Sequence, residues 1–187
     1  MSLFNSLLAG LLDTLIASPS AGQYLRFNGT QWANATLSAV AGTVSMLFAN
    51  TTAAANTSTG ETTLMTYTLA GGSLAAAGDS VRITFAGIMA GANAKTVKLY
   101  FGGTSVVFVN AVTAAADWAG TFTVTRIDAT HQAMMAWGGR GTAASRADCA
   151  LPGETLSGDV VIKVTGQGGA SNEVTQKMML GEKLSAP

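Results

Sequence analysis

The chain has 187 residues, a formal net charge of zero and only 11% charged residues, against roughly 25% in an average soluble domain. This length suits one full-sized domain with a small appendage, and the neutral charge provides no long-range attraction to nucleic acid or to an anionic membrane. Cys149 is the single cysteine, so an intrachain disulfide is excluded and we expect a small buried or half-buried side chain. A neutral surface rich in small residues favours a component of an assembly.

Residues 3–16 are predicted to form the one helix of the chain. Its apolar residues follow a heptad-like spacing at Phe4, Leu8, Leu11 and Leu15. A signal peptide needs a basic region, and a membrane-surface helix needs basic residues on its polar face, whereas no Lys or Arg precedes residue 26. Self-association, or docking into a groove of a larger particle, therefore remains the favoured interpretation. We expect residues 1–20 to be an amphipathic anchor or trimerisation helix, without insertion into a membrane.

Residues 21–39 are predicted to form a small β-hairpin linker. Asn28-Gly29 lies between two short β-prone runs that contain Tyr24, Phe27 and Trp32, and Asn-Gly in that position is a strong hairpin signal. An isolated hairpin is marginal in water. Copies from neighbouring chains would stabilise one another.

Residues 40–187 are predicted to form a projecting β-sandwich head. Between residues 62 and 101, three runs alternate apolar and polar residues and are separated by the turn signals Gly71-Gly72, Gly78-Asp79 and Gly91-Ala92-Asn93. We interpret these runs as a β-meander. Further alternating segments bring the total to about nine strands, which is typical of an all-β antiparallel sandwich, barrel or jelly roll.

Several details of this head can be predicted from its pattern. Val44, Met46 and Phe48 should face inward from a first strand, as should Phe122, Val124 and Ile127 from a later one. Residues 50–62 should be an exposed connection. Residues 138–153 lack periodicity and are interpreted as a long loop, which is often a functional surface.

No pattern of catalytic, metal-binding or cofactor-binding residues stands out. The acidic pairs Asp117/Asp128 and Glu154/Asp159 could serve an enzyme only if each pair met across a cleft, and nothing in the sequence places them together. One histidine and one cysteine are too few for a metal site, and the Gly-rich run at 138–141 is no phosphate loop. We therefore expect no enzyme activity, no cofactor and no metal.

The phrase GQYLRFNGTQWANATL, residues 22–37, resembles a segment that recurs in bacteriophage tail fibres, head fibres and related virion appendages, near a trimerising region. Residues 43–130 resemble the projecting β-sandwich or jelly-roll domain of the same class. The resemblance implies a homotrimer in the virion, assembled in the bacterial cytoplasm and docked on the major capsid protein or another virion protein. The four Asn-x-Thr/Ser sequons, at Asn28, Asn34, Asn50 and Asn56, are then by-products of Asn/Thr-rich loops.

Two functions are consistent with this resemblance. The first is a capsid decoration (cement) protein or short head fibre, because the chain is short and lacks a shaft. Its expected oligomer and anchor residues are Phe4, Leu8, Leu11, Leu15, Tyr24, Phe27 and Trp32. The second is a receptor-binding head that recognises host surface carbohydrate, with Trp137 and Arg140 as contacts. Burial in a core or interface is the competing role for Trp32, Trp118 and Trp137.

Overall fold

The computed structural model describes residues 14–15, 23–27, 30, 32–36, 42–141 and 146–187. In these ranges the chain forms fourteen β-strands and no helix. It divides into two compact units, Met1–Val40 and Ala41–Pro187. The all-β class is confirmed for the described residues, while the finer division into 1–20 and 21–39 stays a prediction.

The first unit contains a small three-stranded sheet. Its strands are β1 (Thr14–Leu15), β2 (Gln23–Phe27) and β3 (Trp32–Thr36), in the order β1-β3-β2. β2 and β3 are antiparallel with Phe27 opposite Trp32, so the predicted hairpin is present.

The predicted helix lies largely outside the described residues, including Phe4, Leu8 and Leu11. At Thr14 and Leu15 the prediction is wrong, because these residues form a strand parallel to β3, opposite Trp32 and Ala33. The free edge of β3 offers unpaired backbone groups, and a strand satisfies them. β-branched Thr14 also suits a strand better than a helix.

The second unit contains eleven strands among its described residues. They are β4 (Val44–Asn50), β5 (Ala54–Ala55), β6 (Thr62–Leu69), β7 (Ser80–Met89), β8 (Lys95–Phe101), β9 (Thr104–Val112), β10 (Ala116–Arg126), β11 (Gln132–Arg140), β12 (Arg146–Ala150), β13 (Val160–Gln167) and β14 (Val174–Leu184). The larger sheet has the order β12-β11-β10-β7-β14-β4, with β5 also paired to β14, and the smaller sheet has the order β6-β13-β8-β9. All pairs in this unit are antiparallel.

The two sheets pack face to face around one apolar core. Phe85 of β7 meets Phe108 of β9 edge to face, with ring centroids 4.9 Å apart. The alternating residues of β7 and β8 predicted to face inward are fully buried, as are Phe122 and Val124 of β10. The antiparallel β-sandwich is therefore confirmed, while jelly-roll connectivity stays a prediction. Ile127 follows the end of β10 and is 51% exposed, so its predicted inward position is wrong.

The predicted β-meander is also wrong, although its three strands exist. β6 and β8 both flank β13 in the smaller sheet, whereas β7 lies between β10 and β14 in the larger one. Alternation shows that a strand has one buried face but does not identify its neighbours. The predicted turns hold, since Gly72, Gly78 and Gly91 have φ of +76°, +89° and +71°.

A β-bulge explains the exposure of the first strand of the head. Phe48 lies opposite Gly181, but Met46 lies opposite Glu182, so Leu47 is an extra residue between them. A shift of one residue sends the following side chains to the other face. Phe48 therefore turns toward the core and stacks on Tyr67 at 4.1 Å, whereas Met46 and Val44 are 63% and 55% exposed, against the prediction.

Two segments predicted to be loops are more ordered than expected. β11 continues to Arg140, and β12 pairs with it within the predicted loop 138–153. Small residues such as Ala and Gly carry no hydrophobic alternation, yet they form the same ladder. Cys149 lies on β12 and is exposed, which corrects its predicted burial. In the predicted exposed connection 50–62, β5 is a strand and Asn56 is fully buried.

Candidate functional site

The face of the larger sheet that points away from the core is the most extensive candidate surface. Cross-strand registers define five rows of outward positions, and we call the four rows named below the outer face. The fifth row, at one end of the sheet, contains Asp117, Ile88 and Thr175. The first row is Ala147, Trp137, Thr121, Thr84, Leu180 and Ala49. The second row is Cys149, Met135, Thr123, Arg82, Glu182 and Met46. The third row is Ala133, Thr125, Ser80, Leu184 and Val44, and the fourth is Gly139, Ala119, Ala86 and Met178.

The outer face is unusually poor in charge for the solvent side of a sheet. Within these four rows, Arg82 and Glu182 are the only charged residues, and Asp117 is charged in the adjoining fifth row. The Arg82 guanidinium donates to Glu182 Oε2 through Nε at 2.9 Å and through a terminal nitrogen at 2.8 Å. The remaining positions are Ala, Gly, Thr, Ser, Cys and larger apolar residues. An antiparallel sheet that keeps one face in water normally alternates with polar residues.

Large apolar side chains project from this face. Trp137 and Met135 of β11 are each 55% exposed. Met46 and Val44 are also more than half exposed, on the edge strand β4 of the same face. Scattered exposed apolar residues are ordinary, but neighbouring ones such as Trp137 and Met135 on one strand, on a face poor in charge, mark an interaction surface. The outer face therefore has the character of an interface.

Two shallow hollows lie on the outer face beside these projecting side chains. One of about 470 Å³ is bordered by Trp137, Met178 and the backbone of Gly120 and Gly138. The other, of about 520 Å³, is bordered by Thr123, Thr125, Ala133, Met134, Met135, Cys149, Ala150 and Leu151. Projecting apolar groups and apolar hollows thus occur on one surface.

The two predicted receptor contacts occupy different positions on β11. Trp137 belongs to the outer face, whereas Arg140 lies opposite Trp118 in register and is half-buried. Trp118 itself is 1% exposed and belongs to the core. Alternation along a strand therefore places Trp137 and Arg140 on opposite sides of the sheet.

The predicted anchor residues of the hairpin are exposed. Tyr24, Phe27 and Trp32 are 43%, 50% and 43% exposed, and the rings of Phe27 and Trp32 lie 5.5 Å apart. Tyr24 is on the other face of this small sheet, because it is an odd number of residues from Phe27. Leu15 lies in β1. Both faces of the sheet thus present aromatic rings to solvent.

The candidate catalytic carboxylates have local structural roles. Asp117 and Asp128 lie at opposite ends of β10. Glu154 accepts a hydrogen bond from the backbone N–H of Gly103 at 2.7 Å, and Asp159 accepts one from Gly71 at 2.9 Å. Asp117 and Asp128 are therefore apart along β10, and Glu154 and Asp159 each accept from a different glycine. Among the described residues, no group of three His, Cys, Asp or Glu side chains is arranged to hold a metal ion.

Asp128 caps an exposed turn together with His131. Its carboxylate accepts hydrogen bonds from the backbone N–H groups of Thr130 and His131 and contacts His131 Nδ1 at 2.9 Å. These interactions, with the Thr130 N–H the largest, hold the pKa of the Asp128 carboxyl at about 2. Stabilisation of a turn accounts for this arrangement.

A polar cluster on the smaller sheet was not predicted from the sequence. Glu61 accepts hydrogen bonds from Lys98 Nζ at 2.7 Å, Tyr100 Oη at 2.6 Å and Thr165 Oγ1 at 2.8 Å. Burial acts to raise the pKa of Glu61, but these hydrogen bonds outweigh it and lower the pKa from 4.5 to about 2. Lys163 also lies 4.7 Å from the centroid of the Tyr100 ring. The cluster ties β8 and β13 to the residue that precedes β6.

Buried polar residues at one end of the sandwich also escaped prediction. Lys95 is fully buried, and its Nζ donates to the carbonyl oxygens of Gly91, Asn93 and Thr113, each at 2.8 Å. Lys95 has the same parity along β8 as the buried Val97, which is a signal that could have indicated its burial. Asn56 bonds Ser58, Ala170 and Val174 through its side chain, so this sequon cannot accept a glycan in the folded chain.

Comparisons with known proteins add little to these observations. The sequence matches no protein-family model and no curated protein. Among solved structures, the chain aligns over 90% of its length with the protein in the crystal structure of the infectious bursal disease virus VP2 subviral particle, at 11% identity and a TM-score of 0.33. This chain spans 41% of that protein, and this TM-score does not establish a shared fold. Among the described residues, none belongs to a helix suited to crossing a lipid bilayer.

Proposed function

We propose that this chain is a structural protein of a bacteriophage virion, a trimeric capsid decoration protein or short head fibre whose copies associate through the outer face. The observation that carries the proposal is the near absence of charge on that face, combined with its exposed Trp137 and Met135. The resemblance of residues 22–37 to virion appendages supplies the class of particle and the trimer.

Burying the outer face should be favourable because it leaves no isolated charge behind. Arg82 and Glu182 already satisfy each other, so a partner would cover a paired group. The apolar side chains contribute about 25 cal/mol for each Å² removed from water. Six strands and four rows span about 24 Å by about 20 Å between backbone atoms. This is of the order of the roughly 800 Å² that each partner contributes to a standard interface.

A further copy of this chain is the partner that the surface fits best. A zero net charge removes the repulsion that separates identical molecules. The hollows lie beside β11, whereas the exposed Met46 and Val44 lie on β4, so the two sides of the face supply the two different halves of the heterologous contact that a three-fold trimer requires. The hairpin sheet, with aromatic rings on both faces, supplies a second point of association.

Attachment of the chain would then stabilise the capsid shell by linkage. A protein that binds only the intact shell lowers the free energy of that shell. Three linked copies would strengthen attachment further through multivalency. The N-terminal residues 1–20 are the proposed docking segment.

The second candidate is a receptor-binding head that uses Trp137 against a sugar ring. The observation that favours it is the position of the exposed indole beside the hollow of about 470 Å³. Aromatic rings commonly pack on the apolar faces of ligands. In that case Trp137→Ala would abolish adsorption to host cells while the oligomer remained intact.

The discriminating experiment mixes purified chain with particles assembled without it. We expect the full chain to bind the shells and raise their disruption temperature, and a chain lacking residues 1–20 to remain folded without binding. Failure of the full chain to bind shells, together with binding to host cells, would support the receptor-binding function instead.

A further inference from the structure

A polar pocket of about 450 Å³ opens at one end of the sandwich, away from the rows of the outer face. Its lining comes from the β7–β8 turn, the end of β9 and the β13–β14 turn. The lining residues are Thr59, Asn93, Ala94, Thr96, Ala111, Gln167, Gly168 and Gly169. Loop clusters at the end of a rigid sandwich are common sites of recognition.

The pocket is lined by neutral groups that both donate and accept hydrogen bonds. Asn93 uses one amide N–H to bond Glu173 at 2.8 Å, and Gln167 uses one for the Thr59 carbonyl at 3.2 Å. An amide side chain has two N–H donors and an acceptor oxygen, so each retains capacity toward a ligand. Thr96 adds a hydroxyl.

Two buried charged residues hold the pocket wall without acting on a ligand directly. Glu173 is 6% exposed, and it accepts hydrogen bonds from Asn93 Nδ2 and the Ala170 N–H. Burial acts to raise the pKa of Glu173, but these bonds outweigh it and lower the pKa. The Lys95 ammonium donates all three of its hydrogens to backbone carbonyl oxygens, one of them that of Asn93. Both charges are thus occupied: Glu173 holds the side-chain amide of Asn93, and Lys95 holds the backbone carbonyl of the same residue.

Backbone features bring the chain close to the pocket. A Cβ at Gly169 would lie 2.5 Å from Asn93 Cβ, so glycine is required for this close packing. Ala111 adopts φ of +49°, which is uncommon for a residue with a side chain. It lies in a bulge of β9, where Val109 and Val112 pair with Val97 and Lys95. Bulges and strained residues of this kind concentrate at functional sites.

We infer that this pocket binds a neutral, hydroxyl-rich ligand of the saccharide class. A sugar hydroxyl both donates and accepts, which matches the remaining hydrogen-bonding capacity of the Asn93 and Gln167 amides. The Thr96 hydroxyl accepts from the Ala111 N–H at 3.4 Å and can still donate to a ligand. The occupied state of Glu173 and Lys95 excludes recognition by a free charge. The volume lies within the range of small-molecule sites. This site is independent of association through the outer face.

The test uses the full chain and the methyl glycosides of glucose, galactose, mannose and N-acetylglucosamine at millimolar concentration. Amide signals are followed by two-dimensional NMR. We expect saturable shifts of the Asn93 and Gln167 side-chain amides with at least one glycoside. Gln167→Leu should weaken that binding about tenfold, as expected for a lost hydrogen bond of ordinary strength.

Two further variants distinguish binding in the polar pocket from binding on the outer face. Trp137→Ala should bind the same glycoside normally, because it alters only the outer face. Gly169→Ala should weaken binding by displacing Asn93, with folding checked by circular dichroism. The inference is overturned if no glycoside produces saturable shifts, if sialic acid binds more tightly than the neutral sugars, or if Trp137→Ala abolishes binding while Gln167→Leu does not. None of these outcomes bears on shell binding.

Discussion

Gly120 and Gly138 lie directly opposite each other on β10 and β11, and the pair leaves bare backbone above the aromatic core. A Cβ at Gly120 would lie 3.0 Å from the Phe85 ring, and one at Gly138 would lie 2.9 Å from the Phe108 ring. The edge-to-face pair of Phe85 and Phe108 therefore packs against the sheet itself. The hollow of about 470 Å³ lies over the same glycines.

Gly138→Ala should destabilise the head, because the new Cβ would clash with the Ala119 carbonyl oxygen and lie 2.5 Å from Gly120 Cα. Backbone cannot yield as a flexible side chain does, so we expect a loss of about 1–3 kcal/mol in the free energy of unfolding. Urea denaturation measures it. Gly60→Ala is the matched control, since its Cβ would meet only Ser58 Oγ, at 3.6 Å. Equal stability of the two variants would contradict the packing described.

Lys95→Met should cost about 3 kcal/mol or more, because it leaves three buried carbonyl oxygens without a donor. The side chain retains a similar apolar length, which isolates the loss of the ammonium group. Lys177→Met, at an exposed position of β14, serves as the control. A loss no larger than that of the control would show that Lys95 does not hold this end of the sandwich.

Glu61→Gln should remove a pH-dependent part of the stability. The pKa of Glu61 falls from 4.5 to about 2 on folding, so its contribution is fully present above pH 4.5 and is lost as the pH falls toward 2. Because the group is partly exposed, we expect a difference of about 1–2 kcal/mol between wild type and variant at neutral pH. Chemical denaturation across this pH range tests it, and a difference that stays constant with pH would contradict the assignment.

Ala111→Gly should stabilise the chain or leave it unchanged, although glycine usually weakens a strand. At φ of +49° glycine relieves a conformation that alanine disfavours. Ala119→Gly, in the regular part of β10, should instead destabilise by about 0.5–1 kcal/mol. Urea denaturation of both variants tests this: the unfolding midpoint of Ala111→Gly should be higher than that of Ala119→Gly. Destabilisation of both variants by the same amount would argue against strain at residue 111.

Hydrophobic alternation predicted much of the fold. It located β7, β8 and β10, because their buried residues are large and regularly spaced. It could not assign strands to sheets, since β6, β7 and β8 have the same pattern and different neighbours. It also missed β12, whose small residues give no periodic signal, and the reversal that the bulge at Leu47 imposes on Met46.

The candidate site was less predictable than the fold. Trp137 could be named from its residue type, but the outer face appears only when six strands are placed side by side. Its defining property is the lack of charge across residues that are distant in sequence, such as Met46 and Met135. The polar pocket likewise joins Asn93 to Gln167 through sheet topology. Neither the outer face nor the polar pocket corresponds to a local sequence motif.

The most direct test of the proposed assembly is the mass of the full chain in solution, measured by sedimentation equilibrium for the wild type and for a Met135→Glu/Trp137→Glu variant. Val161→Glu is the matched control, because Val161 is 43% exposed on the other sheet. We predict a trimer for the wild type and for the control, and dissociation to smaller species for the outer-face variant, with unchanged folding by circular dichroism. A wild-type monomer, or an outer-face variant with an unchanged mass, would contradict association through the outer face.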